Sequence, residues 1–220
     1  MHPLPLISKI RRGINMLRFH NISKTFNRNT DAELNLYNHL NLEVDEGEFV
    51  TIIGSNGSGK STLFNVLCGQ IEPDTGSIFF EGNNIHKRKI HERFKEISRV
   101  YQDPVAGTSP SLTILENLSM AYDKGRLMNF KRGIRTDKVT YFKELLKELD
   151  LGLEDKLDSK VGQLSGGQRQ ALSLLMALMN EPKVLLLDEH TAALDPKSSE
   201  IIMRLTEKMV ENREITTMMV

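Results

Sequence analysis

Residues 49–62 decide the fold, and they read F-V-T-I-I-G-S-N-G-S-G-K-S-T. The first five are apolar and rich in β-branched side chains, which predicts a strand buried on both faces of a parallel sheet. Residues 54–61 then fit the pattern G-x-x-x-x-G-K-S. The apolar residues that follow predict a helix that ends near Gly69, a residue type common just past helix C-termini. This strand, glycine-rich turn and helix together predict a phosphate-binding loop.

The residue types of the loop suit phosphate for a physical reason. Gly54, Gly57 and Gly59 lack Cβ atoms, so the backbone can turn sharply and bring its N–H groups close to phosphate oxygens. The start of the next helix directs unpaired N–H groups and the positive end of its dipole at the same anion. We expect Lys60 to reach the β- and γ-phosphates and the Ser61 hydroxyl to ligate Mg²⁺. The sequence therefore predicts a site for a nucleoside triphosphate.

Composition limits the possible classes of protein. A chain of 220 residues is long enough for one substantial core with an inserted lobe. Basic and acidic residues number 29 each, so the composition lacks the basic excess that is typical of nucleic-acid-binding proteins. The single cysteine, Cys68, excludes an internal disulfide, fits a reducing compartment and is expected to be a small buried residue. No apolar run reaches the roughly 18 residues that span a bilayer.

Two segments of alternating polarity lie near the start of the predicted domain. Residues 1–15 show no clear period and are predicted to be a loosely ordered extension, so the compact domain is expected over residues 16–220. Residues 17–26 and 36–44 alternate in polarity, which predicts peripheral antiparallel strands. An aromatic residue here is suited to cover the face of an adenine. Residues 86–93 are charged and predict a solvated helical face.

The middle of the chain changes from strands to helices. Residues 97–101 predict a short strand that ends at Gln102, whose amide can hydrogen-bond a metal-bound water. Residues 112–122 and 137–149 have helical periodicity, with apolar residues on one face of the second segment. We therefore expect an inserted helical lobe at about residues 105–180.

A second glycine-rich helix start follows at Leu164–Gln168, which reads L-S-G-G-Q. Ser165 is a good N-cap, and Gly166 and Gly167 let backbone N–H groups face outward. This is a second anion site, and it has no lysine. Two such helix starts in one chain suggest that the second site of one copy closes on the nucleotide bound by another copy.

Two acids end the apolar strand predicted at Val184–Leu187. We expect this strand to place Asp188 beside the phosphate loop, where its carboxylate can hold Mg²⁺ through water. Glu189 is then expected to orient the attacking water or accept its proton. Further on, Asp195 and Pro196 predict the start of another helix.

With these residues collected, the chain resembles the ATP-binding-cassette (ABC) ATPases from about residue 16 to residue 220. Phe26 is similar in position to the family's adenine-stacking aromatic, with Tyr37 as the alternative. The matching segments are Walker A in Gly54, Ser55, Asn56, Gly57, Ser58, Gly59, Lys60, Ser61 and Thr62, the Q-loop in Gln102, the LSGGQ motif in Leu164, Ser165, Gly166, Gly167 and Gln168, Walker B in Val184–Asp188, the catalytic glutamate in Glu189 and the D-loop in Ala193–Asp195.

The resemblance implies an architecture and a set of partners. It implies an α/β P-loop NTPase fold of the RecA-like type, with a parallel sheet core, an antiparallel β lobe and an inserted helical lobe. It also implies a head-to-tail dimer with ATP between Walker A of one copy and LSGGQ of the other. Hydrolysis then drives permease subunits at the cytoplasmic face of the plasma membrane, with an extracytoplasmic binding protein in the same system. Catalytic roles fall on Glu189, Lys60 and Gln102, and Mg²⁺ ligation on Ser61, Gln102 and Asp188.

Residue 190 departs from the family pattern, because His190 stands where most members have proline. The phrase from Asp188 to Pro196 resembles a subgroup of bacterial importers with a lipoprotein binding component, some of them linked to tryptophan or other aromatic amino acids. As a residue, His190 is able to contact phosphate, but a hydrogen-bonded structural histidine is the favoured interpretation.

The family also has a switch histidine after the strand that residues 215–220 resemble, and the sequence given ends before that position. We therefore expect this chain to bind Mg-ATP and to hydrolyse it poorly; a version extended through the segment should have a higher steady-state ATPase rate. Two alternative functions remain open: a soluble mechanochemical cassette that acts on ribosomes or DNA, and a hydrolysis-defective, nucleotide-gated interaction module.

Overall fold

The computed structural model describes residues 15–124 and 134–220, so almost all of the predicted N-terminal extension lies outside the described residues. The chain divides into a first unit, Met1–Phe94 with Ile215–Val220, and a second unit, Lys95–Glu214. The expected domain over residues 16–220 and the helical lobe at 105–180 stay predictions.

In chain order the elements are β1 (Asn15–Phe26), β2 (Leu34–Asp45), β3 (Phe49–Thr51), α1 (Lys60–Cys68), β4 (Thr75–Phe80), β5 (Asn83–Asn84), α2 (Ile90–Arg93), β6 (Ile97–Val100), α3 (Ile114–Tyr122), α4 (Val139–Lys147), α5 (Gly166–Leu178), β7 (Val184–Leu187), α6 (Pro196–Glu211) and β8 (Thr216–Met219).

The first unit contains the antiparallel sheet that the alternating segments predicted. Its strand order is β2-β1-β4-β5, and β1 pairs antiparallel with both β2 and β4. Phe19 lies opposite Leu42 on one neighbour and Ile78 on the other, and all three side chains are buried. The alternation in β1 therefore comes from one face that packs into the core while the other meets solvent.

The strand before the phosphate loop is real but less buried than its sequence predicted. β3 pairs in parallel with β8, and Ile52 N donates to Met219 O at 2.7 Å, which extends the ladder toward the loop. Phe49 and Ile53 nevertheless expose 42% and 77% of their surface. The prediction of burial on both faces was wrong, because β3 is an edge strand among the described strands and an edge strand has fewer neighbours to cover it.

Helix α1 after the loop agrees with the prediction. Leu63, Phe64, Val66, Leu67 and Cys68 are buried along it, and Gly69 ends it in the left-handed conformation with φ 77°. Burial of Cys68 confirms the expected small apolar role.

The charged segment at residues 86–93 differs from its prediction. Only α2 is helical, and Arg93 is 6% exposed rather than solvated. Its guanidinium donates to the carbonyl oxygens of Val66 and Leu67, at 3.1 and 2.9 Å, near the C-terminus of α1. A cation is favoured there because these carbonyls form the negative end of the helix dipole.

The second unit holds the other parallel pair and most of the helices. β6 and β7 are parallel, and every residue of β7 is buried, as its apolar run predicted. Between β6 and β7 lie α3, α4 and α5, of which α5 is the predicted core helix with Leu172, Leu174 and Leu175 fully buried. Parallel pairs, an antiparallel sheet and these helices confirm the predicted α/β class.

Candidate functional site

The phosphate loop of the first unit has the backbone geometry that anion binding requires. Gly57 and Gly59 adopt φ 80° and φ 98°, in the left-handed region where glycine carries no steric penalty. A turn within the loop is closed by Ser58 N, which donates to Ser55 O at 3.1 Å. Helix α1 begins immediately after Gly59, and this N-cap residue has no side chain that could cap the first turn. The backbone N–H groups of that turn therefore suit an anionic ligand.

Polar side chains of the loop point to the same chemistry. The Lys60 ammonium lies within hydrogen-bond distance of Gly54 O and Ser55 O, at 3.0 and 3.3 Å, so the cation is held over the turn. The Ser58 hydroxyl oxygen is buried, and no described residue forms a hydrogen bond with it. A buried hydroxyl of this kind usually has a partner. A phosphate, with several acceptor oxygens, fits both groups.

Tyr37 supports the loop from β2, a role that the sequence did not reveal. Its hydroxyl donates to the carbonyl oxygen of Gly59, which also accepts Leu63 N at 2.9 Å in the first turn of α1. Burial raises the pKa of the Tyr37 phenol, so it remains a donor. The side chain of Leu36 lies 2.9 Å from the point where a Cβ on residue 59 would be, so glycine is favoured there. Phe26, the other aromatic candidate, is half-buried at the end of β1 with Lys24 Nζ 5.4 Å from its ring centre.

The acids of the second unit lie directly after β7, as predicted. Asp188 is 7% exposed, and its carboxylate forms an ion pair with the Arg99 guanidinium from β6. Glu189 is half-buried and adopts φ 46°, a left-handed conformation that is uncommon outside glycine and is concentrated at functional positions. Sequence reasoning missed Arg99, although a charged residue inside an apolar strand is a signal that a buried partner exists.

His190 is a structural residue, in agreement with the favoured interpretation. It is 2% exposed, and its Nε2 lies 3.2 Å from the Thr206 hydroxyl oxygen. That hydroxyl donates its own hydrogen to Ile202 O at 2.8 Å, so Nε2–H of His190 is assigned as the donor. Burial lowers the pKa of His190 to about 4, which keeps the ring neutral at physiological pH.

The second glycine-rich helix start is built around Ser165. Its hydroxyl accepts Gln168 N, and the Gln168 side chain accepts Ser165 N, each at 3.2 Å, which confirms the predicted N-cap as a capping box. A Cβ on Gly166 would lie 3.3 Å from Leu194, and one on Gly167 would lie 3.0 Å from Ser198. The glycines therefore also allow close packing against the D-loop segment and α6, a reason that the pattern alone did not give.

Gln102 follows β6 and is exposed. The residue before it is tied to α5, since Gln170 Nε2 donates to Tyr101 O at 3.2 Å. In the part of the chain that the structure describes, no group of three His, Cys, Asp or Glu side chains is arranged to hold a metal ion by itself. The carboxylate of Asp188 is of the kind that suits Mg²⁺, which proteins commonly hold through one or two carboxylates together with substrate phosphates. Over the same described residues, no helix is both long and apolar enough to cross a membrane.

Comparison with known proteins gives a consistent assignment. A family model described as ABC transporter matches residues 37–192. The chain is 47% identical over 205 residues to a tyrosine transport ATP-binding protein of Clostridioides difficile, covering 93% of this chain and 81% of that protein. It is similar to cbiO1 of Clostridium perfringens, described as part of the ABC transporter complex cbiONQ, with TM-score 0.76, 29% identity and coverage of 93% and 77%. It is also similar to a dimeric ATP-binding cassette in a post-hydrolysis state with ADP and Pi, with TM-score 0.73, 33% identity and coverage of 93% and 87%.

Proposed function

Because this chain belongs to the ABC transporter family and is an ATP-binding cassette ATPase, we propose that it energises an importer of a small solute such as an amino acid. The observation that supports ATP binding, on which the proposal depends, is the phosphate loop. It has two left-handed glycines, a hydrogen-bonded Lys60 ammonium and a buried Ser58 hydroxyl. The name of the 47%-identical relative supports an aromatic amino acid as the solute, in line with the sequence phrase from Asp188 to Pro196.

Each site residue has a proposed role. The loop from Gly54 to Thr62 binds the phosphates through backbone N–H groups, and Lys60 neutralises the β- and γ-oxygens. Ser61, Gln102 and Asp188 hold Mg²⁺, directly or through water; when bound, the metal supplies charge stabilisation of the leaving phosphate. Phe26 stacks on the adenine. The alternative, Tyr37, is already held at the loop by the hydrogen bond from its hydroxyl to Gly59 O, which supports this assignment.

Glu189 orients the attacking water and accepts its proton. A side chain in this role must be aimed with little freedom, and the left-handed backbone at φ 46° supports such a constraint. Hydrolysis then depends on positioning and charge stabilisation rather than on a covalent intermediate.

Two copies of the chain are proposed to form the complete site. The exposed Ser165 and Gly166 at the start of α5 present a hydroxyl and backbone N–H groups to the nucleotide held by the other copy. The assembled pair drives permease subunits, and an extracytoplasmic binding protein delivers the solute. This arrangement places the cassette at the cytoplasmic face of the plasma membrane.

Nucleotide binding is tested first with Lys60→Ala. We expect the affinity for ATP to fall about 100-fold or more, because a charge-assisted contact to phosphate is lost. Lys197→Ala is the matched control, since Lys197 is an exposed lysine in the first turn of another helix, α6. Equal affinity of the Lys60 and Lys197 variants in a filter-binding or calorimetric titration would refute the proposal.

Hydrolysis is tested with Glu189→Gln. We expect steady-state ATPase activity to fall about 100- to 1,000-fold and an ATP-bound dimer to accumulate in light scattering. Glu181→Gln is the control, because Glu181 is an exposed glutamate with a nearly identical backbone, φ 48°. An unchanged rate and no dimer would favour the nucleotide-gated interaction module instead.

The solute is tested on the assembled transporter in proteoliposomes. We expect tyrosine or tryptophan to stimulate ATP hydrolysis in the presence of the binding protein, whereas a basic amino acid leaves the rate unchanged. Stimulation by an unrelated class of solute alone would overturn the amino-acid assignment and leave the ATPase assignment intact.

A further inference from the structure

Arg99 is a buried cation that bonds directly to an acid of the proposed site. β6 and β7 are parallel with Arg99 opposite Leu186, and Asp188 N donates to Val100 O at 3.0 Å, so the ladder continues past β7. Side chains alternate along a strand, and Asp188 therefore shares a face with Leu186 and lies diagonal to Arg99, within reach of a long side chain. The Arg99 Nη2 group completes the ion pair with Asp188 Oδ2.

The guanidinium is held on more than one side. Its Cζ atom lies 4.7 Å from the centre of the Tyr101 ring, a favourable cation–π distance. Tyr101 is itself held by its carbonyl oxygen, which accepts Gln170 Nε2 from the fully buried Gln170 of α5. Arg99 is thus a fixed cation beside Asp188, in contrast to an exposed arginine that samples many rotamers.

The ion pair between Arg99 and Asp188 is almost completely shielded from solvent. The side chains of Arg99 and Asp188 expose only 5% and 10% of their surface, so the carboxylate has lost most of its hydration and requires a cation. Arg99 supplies one positive charge to it. A divalent ion that approaches the same carboxylate meets repulsion from the guanidinium and competes for the oxygen lone pairs.

We propose that Arg99 is the resident counter-ion of Asp188 and competes with nucleotide-bound Mg²⁺, so that it stabilises the metal-free protein and weakens the metal affinity of the site. The inference rests on the proposed role of Asp188 as a metal ligand. Arg99 acts through Asp188 and is a positioning residue. Its consequence for the cycle is that the ion pair between Arg99 and Asp188 forms again when the metal leaves after hydrolysis.

A purely structural ion pair and a competing counter-ion predict opposite changes in the coupling between metal and nucleotide when Arg99 is removed. If Arg99 only orders the strand ends, its removal weakens the protein and leaves metal binding unchanged or weaker. If Arg99 is a competing counter-ion, its removal weakens the metal-free protein but strengthens the coupling between metal and nucleotide. The two readouts, stability and metal coupling, must then move in opposite directions.

The experiment uses the full chain with Arg99→Met and Arg99→Gln, which remove the charge, and Arg99→Lys, which retains it. Arg213→Met is the control, because it breaks another ion pair of the second unit, that with Glu148 at 3.3 Å. Metal coupling is the ratio of the dissociation constants of a non-hydrolysable ATP analogue in EDTA and in saturating Mg²⁺. The melting temperature is measured with and without the Mg²⁺–analogue complex.

We expect Arg99→Met to lower the melting temperature of the ligand-free protein and to raise the coupling ratio about tenfold, by analogy with the effect of a neighbouring charge on a carboxylate. The gain in melting temperature on adding Mg²⁺ and analogue should also increase. Arg99→Lys and Arg213→Met should keep the wild-type ratio within about twofold, since both keep a cation beside Asp188. Should Arg99→Met fail to fold, the milder Arg99→Gln carries the same prediction.

Failure of this inference is distinguishable from failure of the proposed function. A wild-type coupling ratio of one, or a ratio unaffected by Asp188→Asn, would overturn the metal role of Asp188 itself. Coupling that Asp188→Asn abolishes but Arg99→Met and Arg99→Gln leave unchanged or reduce would overturn the counter-ion role alone. In the Asp188→Asn background, Arg99→Met should not alter the ratio further.

Discussion

The phosphate loop, Gly54–Thr62, and the acidic strand end, Asp188–His190, carry the two halves of the proposed chemistry and are built in opposite ways. Every residue of the loop is exposed or half-buried, and the shape of the loop comes from backbone torsions at two glycines and from N–H groups. The acidic strand end is made of side chains, with Asp188 and His190 only 7% and 2% exposed and each bonded to a partner on another element.

This difference determines how each region can be damaged. A backbone site fails when a torsion becomes inaccessible or when an added side-chain atom clashes with a neighbour. A buried side-chain site fails when a charge or hydrogen-bond partner is removed, or when pH changes a protonation state. Substitutions that exploit this contrast should have effects of different kinds, from a lost conformation to a changed pH profile.

Among the substitutions that test this contrast, the largest effect is expected from Gly59→Ala in the loop. A Cβ at φ 98° is strained and would lie 2.9 Å from Leu36, so we expect a loss of about 2–3 kcal/mol in nucleotide binding. Gly57→Ala is the matched control, because its φ is 80° but nothing lies within 4 Å of the added atom, and we expect about 1 kcal/mol. Titration with an ATP analogue checks this; equal losses would show that Leu36 packing does not constrain the loop.

His190 should make the stability of the acidic strand end depend on pH. Its pKa is about 4 in the folded protein and 6.5 when the imidazole is solvated, as in the unfolded chain, which therefore binds more protons between these values. Folding weakens as pH falls through this range. From pH 7.5 to pH 5 the loss should be about 2 kcal/mol, and it should disappear in His190→Gln. Denaturant midpoints measure it, with the exposed His91→Gln as control. A slope retained in His190→Gln would contradict the assignment.

Ser165→Ala separates helix capping from nucleotide contact. Ser165 and Thr113 both form capping boxes, on α5 and α3, so each alanine variant should lose about 1 kcal/mol of stability. Only Ser165→Ala should also weaken ATP-dependent dimerisation of the Glu189→Gln protein, because Thr113 has no proposed nucleotide contact. Equal dimerisation of the two variants would remove Ser165 from the site.

The smallest effect is expected from Tyr37→Phe, which deletes one hydroxyl that supports the loop. Loss of the bond to Gly59 O should weaken ATP binding by up to about 1 kcal/mol, or fivefold. Adenosine, which has no phosphate, should bind equally to the variant and the wild type in a competition assay. Equal affinity of Tyr37→Phe and the wild type for ATP would contradict this role of the hydroxyl. If Tyr37→Ala also bound adenosine more weakly than Phe26→Ala, adenine stacking would be assigned to Tyr37.

Much of this protein could be predicted because its decisive features are local. The left-handed glycines, the Gly69 helix end, and the N-caps at Ser165 and Asp195 each depend on residues within a few positions along the chain. Strand order in the antiparallel sheet could be predicted only in part, since alternation indicates which face is buried and not which strand is the neighbour. The exposure of β3 was missed for the same reason.

The sequence by itself determined the phosphate loop, the second glycine-rich helix start and the two acids after a buried strand, because short-range backbone geometry and hydrophobic periodicity specify them. Tertiary structure alone decided the partners of the functional side chains. Arg99 and Asp188 are 89 residues apart in sequence, and Tyr37 and Gly59 are 22 apart. Such pairs depend on strand register and burial, which exist only after the chain has folded, and they set the charge and rigidity of the groups that the motifs supply.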